Sequence, residues 1–546
     1  MEQVSGFLQK WSLLADQPGL AVVDKTGRYS FKDVNQRACQ ITSQITSLIG
    51  SLITGLRSEQ SRDRGFLGGA RVGILVEPGV EFVASFVGVL AAGGTAVVLS
   101  PLHPNAESAY FCQDAGVALV LVSSIWKSRV QEFAPGILVL EVGVDSAQTE
   151  AAGANDSSGL FLFNAEPKSG PKFEPKFESK AGFISNSAPA LQLYTSGTTG
   201  KPKGAVLTHG NLAAQQELLR DAWGLCESDV LLHALPLHHM HGLCIGLWSV
   251  LGAGGGVSFV YPFEAAQVWN EMRNATVFMA VPTIYAKLLT YLEIASHSSE
   301  VRESWKVGAK NLRLATSGSA ALPVTLAEKW KALTDQYPLE RFGMTEVGVA
   351  LSNPLEGRRK PGRVGLPLTS VEYKVVNEAG EESEVGELWI AGPSVFSEYY
   401  QRGESTASAF TMQGGVRFFR TGDRVTRDED GYFKILGRNS VDILKSGGYK
   451  LSAIEIEEVF REHPAVAEVA VVGVPDEVWG DRVIACVVLR QTLEVPCTED
   501  VLRDFAKAQM ASYKVPKQIV FLERLPTNAL GKVLKQELVR ACAEIT

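Results

Sequence analysis

Short apolar runs separated by helix-length stretches recur along most of the chain. Residues 71–76, 94–99, 117–122 and 275–281 are rich in Val, Leu, Ile and Ala, and each predicts a buried strand. The apolar stretch between the first two has the length of a helix. Strands alternating with helices predict parallel sheets covered on both faces. Residues 82–106 and 230–263 contain no acidic or basic side chain, which raises the question of a membrane span. Internal Gly, Pro or His residues break each into a helix-like and a strand-like half, so buried α/β elements are expected. The pattern lapses over residues 145–190, which are rich in Ser, Ala, Gly and Asn and contain the near-repeat Pro171-Lys172-Phe173-Glu174-Pro175-Lys176-Phe177-Glu178. That composition predicts an exposed, poorly ordered insertion. A second polar insertion is expected over residues 56–69.

Beyond residue 437 the style changes. An acidic helix (454–462), two strands (466–474 and 482–489) and a final segment ending in a Gly-Lys turn (521–533) form a module of about a hundred residues, the size of one modest domain. The expected fold class is α/β. A large N-terminal domain of stacked, mostly parallel sheets with helices covers 1–438, and a small mobile α+β C-terminal domain covers 439–546.

Composition narrows the function classes. The 546 residues exceed one core. The formal net charge of −8 offers neither a nucleic-acid surface nor a polybasic membrane anchor. The seven cysteines are scattered without a Cys-x-x-Cys pair, which speaks for a reducing compartment and against a disulfide framework or zinc site. The first residues lack the basic-then-apolar order of a secretory signal, and the last are not a peroxisomal tail. Cytosol is the expected compartment; mitochondrion and plastid stay open.

The most informative stretch is Tyr194-Thr195-Ser196-Gly197-Thr198-Thr199-Gly200-Lys201-Pro202-Lys203-Gly204. Glycines let several N–H groups face one concave spot, hydroxyls add donors, and lysines supply charge, which together suit a polyphosphate. A flexible linker is the bland alternative, but this loop lies between apolar strand-like runs. Pro202 follows Gly200-Lys201 where a P-loop requires Ser or Thr, so a P-loop kinase or motor ATPase is disfavoured. Downstream, Thr316-Ser317-Gly318-Ser319 is a small-residue turn on which a flat purine can lie. Arg341-Phe342-Gly343-Met344-Thr345-Glu346 combines an aromatic, a turn, a hydroxyl and a carboxylate suited to Mg²⁺. Thr421-Gly422-Asp423 offers a carboxylate for a ribose diol. A glycine-bounded joint spans 437–450, and Gly531-Lys532 places a lysine on a tight turn.

In this order the six strings resemble the adenylate-forming superfamily of acyl-CoA synthetases, luciferases and adenylation domains, over nearly the whole chain. The resemblance implies that Thr195, Ser196, Gly197, Thr198, Thr199 and Lys203 hold the ATP phosphates. It implies that Ser317, Gly318, Ser319, Phe342 and Gly343 surround the adenine, with Phe342 stacking where the family more often has Tyr. Thr345 would contact the α-phosphate, Glu346 would bind Mg²⁺, Asp423 and Arg438 the ribose, and Lys532 would bridge carboxylate and α-phosphate. Ser440 would be the hinge, and Gly447, Gly448 and Tyr449 would line a CoA channel. ATP and CoA would be co-substrates.

The segment Pro236-Leu237-His238-His239-Met240-His241-Gly242 matches the family's acyl-pocket wall. Its histidines, with Arg220 on the preceding helix, suggest a cationic or strongly donating pocket, unlike an apolar fatty-acid pocket. His239, Met240, His241, Met344 and Arg220 are the expected substrate contacts, although Arg220 has Asp221 as an alternative partner. The motifs resemble malonyl-CoA synthetases, the eukaryotic group in particular, implying malonate as substrate. Open alternatives are another short-chain, methylmalonate-like or aromatic acid, or a non-CoA adenylating enzyme of the same fold.

Overall fold

A computed structural model describes residues 5–53, 66–143, 184–195, 201–294, 298–438, 441–446, 449–476, 479–490, 497–528 and 532–544. The chain divides into two compact units, residues 1–264 with 393–406 and residues 265–392 with 407–546.

In the first unit a seven-stranded sheet runs in the order Glu398–Tyr399, Lys203–Thr208, Pro189–Thr195, Thr95–Val98, Arg71–Leu75, Leu119–Ser123, Leu138–Val142. The last five are parallel, and the first two add antiparallel at one edge. Helix Val80–Ala91 buries every residue except Glu81, as expected of a helix that is apolar all round. With strand Thr95–Val98 it accounts for the uncharged stretch at 82–106. The stretch at 230–263 likewise resolves into strand Val230–His233, π-helix His241–Trp248, helix Ser249–Gly252 and strand Gly256–Phe259. Among the described residues no helix is long and apolar enough to cross a membrane.

The second unit carries parallel strands Val277–Ala280, Leu314–Ser317 and Leu339–Met344, extended by antiparallel Gly348–Ser352 and Leu366–Pro367. It also holds an antiparallel sheet in which Val416–Arg427 pairs with both Val385–Ala391 and Phe433–Arg438. Its last part is a five-stranded sheet centred on the hairpin Val466–Asp476 and Gly480–Leu489. Strand alternation sends Val469 and Val471 into one core, with Ile456, Phe460 and Leu502, and Ala470, Val472 and Val474 into another, with Leu538 and Cys542. Helices Ala453–Arg461 and Glu499–Gln509 thus contribute to one core and Lys535–Glu544 to the other. This is the α+β module expected after residue 437.

The expected insertions end earlier than anticipated. Residues 144–183 and 54–65 lie outside the described set, but Ile184, Ala188 and Ala190 are buried and Pro189 opens a sheet strand. Leu67 is buried too. Polar composition hid these because small residues serve equally in loops and in tight packing.

Candidate active site

Two groups of expected site residues form, one in each unit. In the first, Thr195 pairs in register with Lys203 across the hairpin that carries the phosphate loop. Ser196, Gly197, Thr198 and Thr199 lie outside the described residues. Both ends of the loop are anchored. The Tyr194 hydroxyl donates to Asp114 at 2.9 Å, and that of Tyr110 donates to the Pro202 carbonyl at 2.8 Å. Asp114 is also paired with Arg402.

His238, Met240 and His241 are buried, and His239 is nearly so. The His238 and His239 rings lie 4.1 Å apart, and His103, which sequence reasoning missed, packs edge-on at 4.8 Å from His238. Burial lowers all three pKa values, to about 4 for His103 and His239. Of the two characters expected of this segment, cationic or strongly donating, His238 and His239 do not supply the first: they hold the neutral form, because desolvation outweighs any gain from charge. His103 Nδ1 and His238 Nε2 have no hydrogen-bond partner among the described residues. Arg220 takes the alternative partner named for it. Its side chain is 49 % exposed and pairs with neighbouring Asp221 at 3.1 Å. A helix position that faces water needs no ligand to satisfy its charge.

In the second unit, strands Leu314–Ser317 and Leu339–Met344 run side by side, with Thr316 opposite Leu339 and Ser317 opposite Glu340. Ser319 follows with φ 68°, a strained left-handed conformation for a non-glycine residue. Phe342 is buried on the second strand, and Met344 and Thr345 lie half-buried at its end. Gly343 is required there, because a Cβ would meet the Gly348 carbonyl at 2.1 Å.

Asp423 and Arg438 are register partners on adjacent strands, joined at 3.2 Å. Burial pushes the Asp423 carboxyl up, while Arg438 and Lys532 oppose the shift. Asp423, acting with Glu346 and Asp442, holds the Arg438 guanidinium above its usual range. Lys532 keeps much of its side chain open to water, yet its ammonium is within electrostatic reach of Arg438, Asp423 and Asp442. Loss of water, then Arg438, lower its pKa. Glu346, Asp423, Arg438 and Lys532, far apart in sequence, thus share one electrostatic environment. Tyr449 stacks on Tyr513 at 4.3 Å. Ser440, Gly447 and Gly448 lie outside the described residues.

The feature that sequence reasoning overlooked is Arg341. Its side chain is buried in the same strand, and its Nε and Nη2 have no acceptor among the described residues. Burial alone lowers its pKa to about 9, and no carboxylate compensates. Neighbouring Glu340 accepts from the Gly362 N–H instead, and burial raises its pKa to about 8. The guanidinium lies against the turn at Gly318, where a Cβ would come within 2.5 Å of Nε. The buried hydroxyls of Thr316 and Ser317 also lack partners among the described residues. Two adjacent charges, Glu340 and Arg341, immediately before the aromatic of the motif were the available signal.

Residues 14–400 match the model of the AMP-binding enzyme family, and residues 455–532 match that of the AMP-binding enzyme C-terminal domain. The chain is 37% identical over 549 residues to the mouse mitochondrial malonate–CoA ligase ACSF3, covering 95% of this chain and 88% of the relative. It is 38% identical over 563 residues to the probable CoA ligase CCL8 of Humulus lupulus, with the same coverage. Its fold matches the crystal structure of ATP-bound MatB from Rhodopseudomonas palustris with a TM-score of 0.83 at 32% identity, over 100% of both chains.

Proposed function

The chain belongs to the AMP-binding enzyme family and is an acid–CoA ligase, and from that premise we propose that its acid is malonate. In the first step a malonate carboxylate oxygen attacks the α-phosphorus of ATP, giving malonyl-AMP and pyrophosphate. In the second the CoA thiol displaces AMP to give malonyl-CoA.

The observation that carries the choice of acid is Arg341. A buried guanidinium whose Nε and Nη2 lack acceptors among the described residues costs several kcal/mol, a cost offset when an anion arrives. A monocarboxylic acid spends its only carboxylate on the α-phosphorus. A dicarboxylate brings a second one, which we assign to Arg341 with help from the Thr316 hydroxyl on the same strand face. Ser317 and Phe342 belong to the opposite face by strand alternation, and we assign that face to the adenine. His239, Met240 and His241 in the first unit, and Met344 in the second, stay proposed substrate contacts on the strength of their sequence motifs.

Attack by one anion on another requires positive charge at the meeting point. We assign that charge to Lys532 and Lys203, with neutral hydroxyl and N–H donors supplied by Thr345 and the loop beside Lys203; Asp423 and Arg438 hold the ribose. No group of three His, Cys, Asp or Glu side chains suited to a metal occurs among the described residues. Mg²⁺ would therefore arrive on the nucleotide, with the buried Glu346 carboxylate as its protein ligand, a hard oxygen donor suited to that ion. It would supply charge neutralisation on the phosphates.

The C-terminal domain, 439–546, is proposed to turn about Ser440 between the steps, bringing Gly447, Gly448 and Tyr449 to the thiol. The seven free cysteines suit a reducing compartment such as the cytosol. Malonate-dependent release of pyrophosphate without CoA, followed by stoichiometric AMP and malonyl-CoA when CoA is added, tests the reading. Absence of pyrophosphate release with malonate would end it.

A further inference from the structure

Three residues beyond Lys532 lies a buried charge cluster that the two-step reading has not used. Lys532 donates its N–H to the Asn528 side chain at 2.9 Å and returns its carbonyl to the Asn528 N–H at 2.9 Å. Three residues on, Lys535 opens helix Lys535–Glu544, and its side chain is only 11 % exposed. Its ammonium lies 2.6 Å from Asp442 Oδ1 and 2.7 Å from Glu457 Oε1. Burial alone would lower the Lys535 pKa, but the Glu457 and Asp442 carboxylates outweigh it and hold the ammonium charged.

Each carboxylate has a second, structural contact. Glu457, on helix Ala453–Arg461, accepts the Val471 N–H at 2.9 Å and pairs with Arg461. Asp442 uses its other oxygen to accept the Arg438 N–H at 3.1 Å. It packs so closely that a Cβ on Gly437 would meet it at 2.3 Å, and Gly437 has φ 128°. One carboxylate therefore grips the end of strand Phe433–Arg438, beside the proposed ribose-binding guanidinium, while its other oxygen grips the helix that follows Lys532.

We propose that Lys535 is a positioning residue, clamped between Asp442 and Glu457 to hold the Lys532 turn at a fixed distance from the Arg438–Asp423 pair during adenylation. The inference rests on the reading above, in which Lys532 acts only in the first half-reaction. Lys535 and Glu457 lie beyond the proposed hinge while Asp442 reaches back across it to the Arg438 N–H, so the clamp ties Lys532 to the ribose site only in the arrangement proposed for adenylation. Its loss then misplaces Lys532 without touching the thiol-transfer geometry. A purely structural role would lower both half-reactions together.

The test measures both half-reactions on the same preparations of full-length wild type, Lys535→Met, Lys535→Arg and Asp442→Asn. Adenylation is followed as pyrophosphate release with ATP and malonate, and thiol transfer as malonyl-CoA formation from supplied malonyl-adenylate and CoA. The ratio of the two rates is insensitive to the fraction of misfolded protein, since both need the folded C-terminal domain. In Lys535→Met the adenylation-to-transfer ratio should fall at least about tenfold, the scale set by misplacing a catalytic group. Asp442→Asn should lower it in the same direction, and Lys535→Arg should recover part of it. An unchanged ratio in Lys535→Met and Asp442→Asn, or loss of both half-reactions in both variants, overturns the proposal. Should the wild type release no pyrophosphate with malonate, the substrate reading fails instead, and the same measurement with an acid that is accepted still decides the role of Lys535.

Discussion

Replacing Arg341 with Met should make the protein more stable and a poorer malonate ligase at once. Keeping this guanidinium charged while burial lowers its pKa to about 9 corresponds to a cost on the order of 5 kcal/mol. Met fills similar volume and needs no hydrogen bond, so part of that cost is recovered, and exchanging buried charge for apolar volume gains roughly 1–4 kcal/mol in other proteins. Binding moves the other way. In the wild type the second carboxylate of malonate meets a desolvated cation; in the variant it meets a thioether. Truncating one member of such a pair typically costs about 3–5 kcal/mol, or about two to three and a half orders of magnitude in kcat/KM. Butyrate has no second carboxylate and should lose less than about threefold, within ordinary context effects. Urea denaturation beside steady-state kinetics for both acids gives the answer. A variant that is destabilised and loses activity equally on malonate and butyrate would show that Arg341 braces the strand and reads no substrate.

Three further outcomes follow from the same geometry. Lys532→Ala should lower adenylation by at least about a hundredfold, the scale of losing one transition-state donor, while thiol transfer from supplied malonyl-adenylate persists; parallel loss of both steps would assign Lys532 a structural role. Gly318→Ala should displace the Arg341 guanidinium, because the new Cβ would lie 2.5 Å from Nε; KM for malonate should rise more than KM for ATP, and an unchanged KM for malonate would place the guanidinium away from the acid. Acid should weaken the fold: His209 and His233 are buried with pKa values near 4 against 6.5 when unfolded, so the unfolded chain binds more protons in that window. Their contribution is complete above pH 6.5 and is lost as pH falls towards 4, about 2 kcal/mol each by pH 5, and urea midpoints that stay flat from pH 7 to 5 would contradict it.

What was legible in the sequence were features that repeat or cluster locally. Runs such as 71–76 and 117–122 announce buried strands because parallel sheets need unbroken apolar segments, and strands Arg71–Leu75 and Leu119–Ser123 lie close to those bounds. Gly437-Arg438 and Thr421-Gly422-Asp423 stood out as loop motifs, but their pairing across two strands is a matter of register, which no single string encodes. Arg341 stood in the sequence only as the residue before a motif's aromatic, and only the fold reveals that it lies buried in a strand whose Glu340 turns to Gly362 instead. The histidines misled in the opposite sense: three imidazoles in four residues suggest charge, whereas His238 is so deeply buried that the neutral form wins. Lys535 and Asp442, 93 residues apart, became a pair only once the C-terminal sheet had closed.

The choice of acid is the central claim, and a competition measures it most directly. Wild-type enzyme is given ATP, Mg²⁺ and CoA with equal concentrations of malonate and butyrate, and the two thioesters are quantified at early times beside AMP. A desolvated cation that reads the second carboxylate predicts malonyl-CoA in excess by at least about a hundredfold, from about 3 kcal/mol of discrimination, with AMP matching total thioester one to one. Butyryl-CoA in equal or greater amount would contradict the claim.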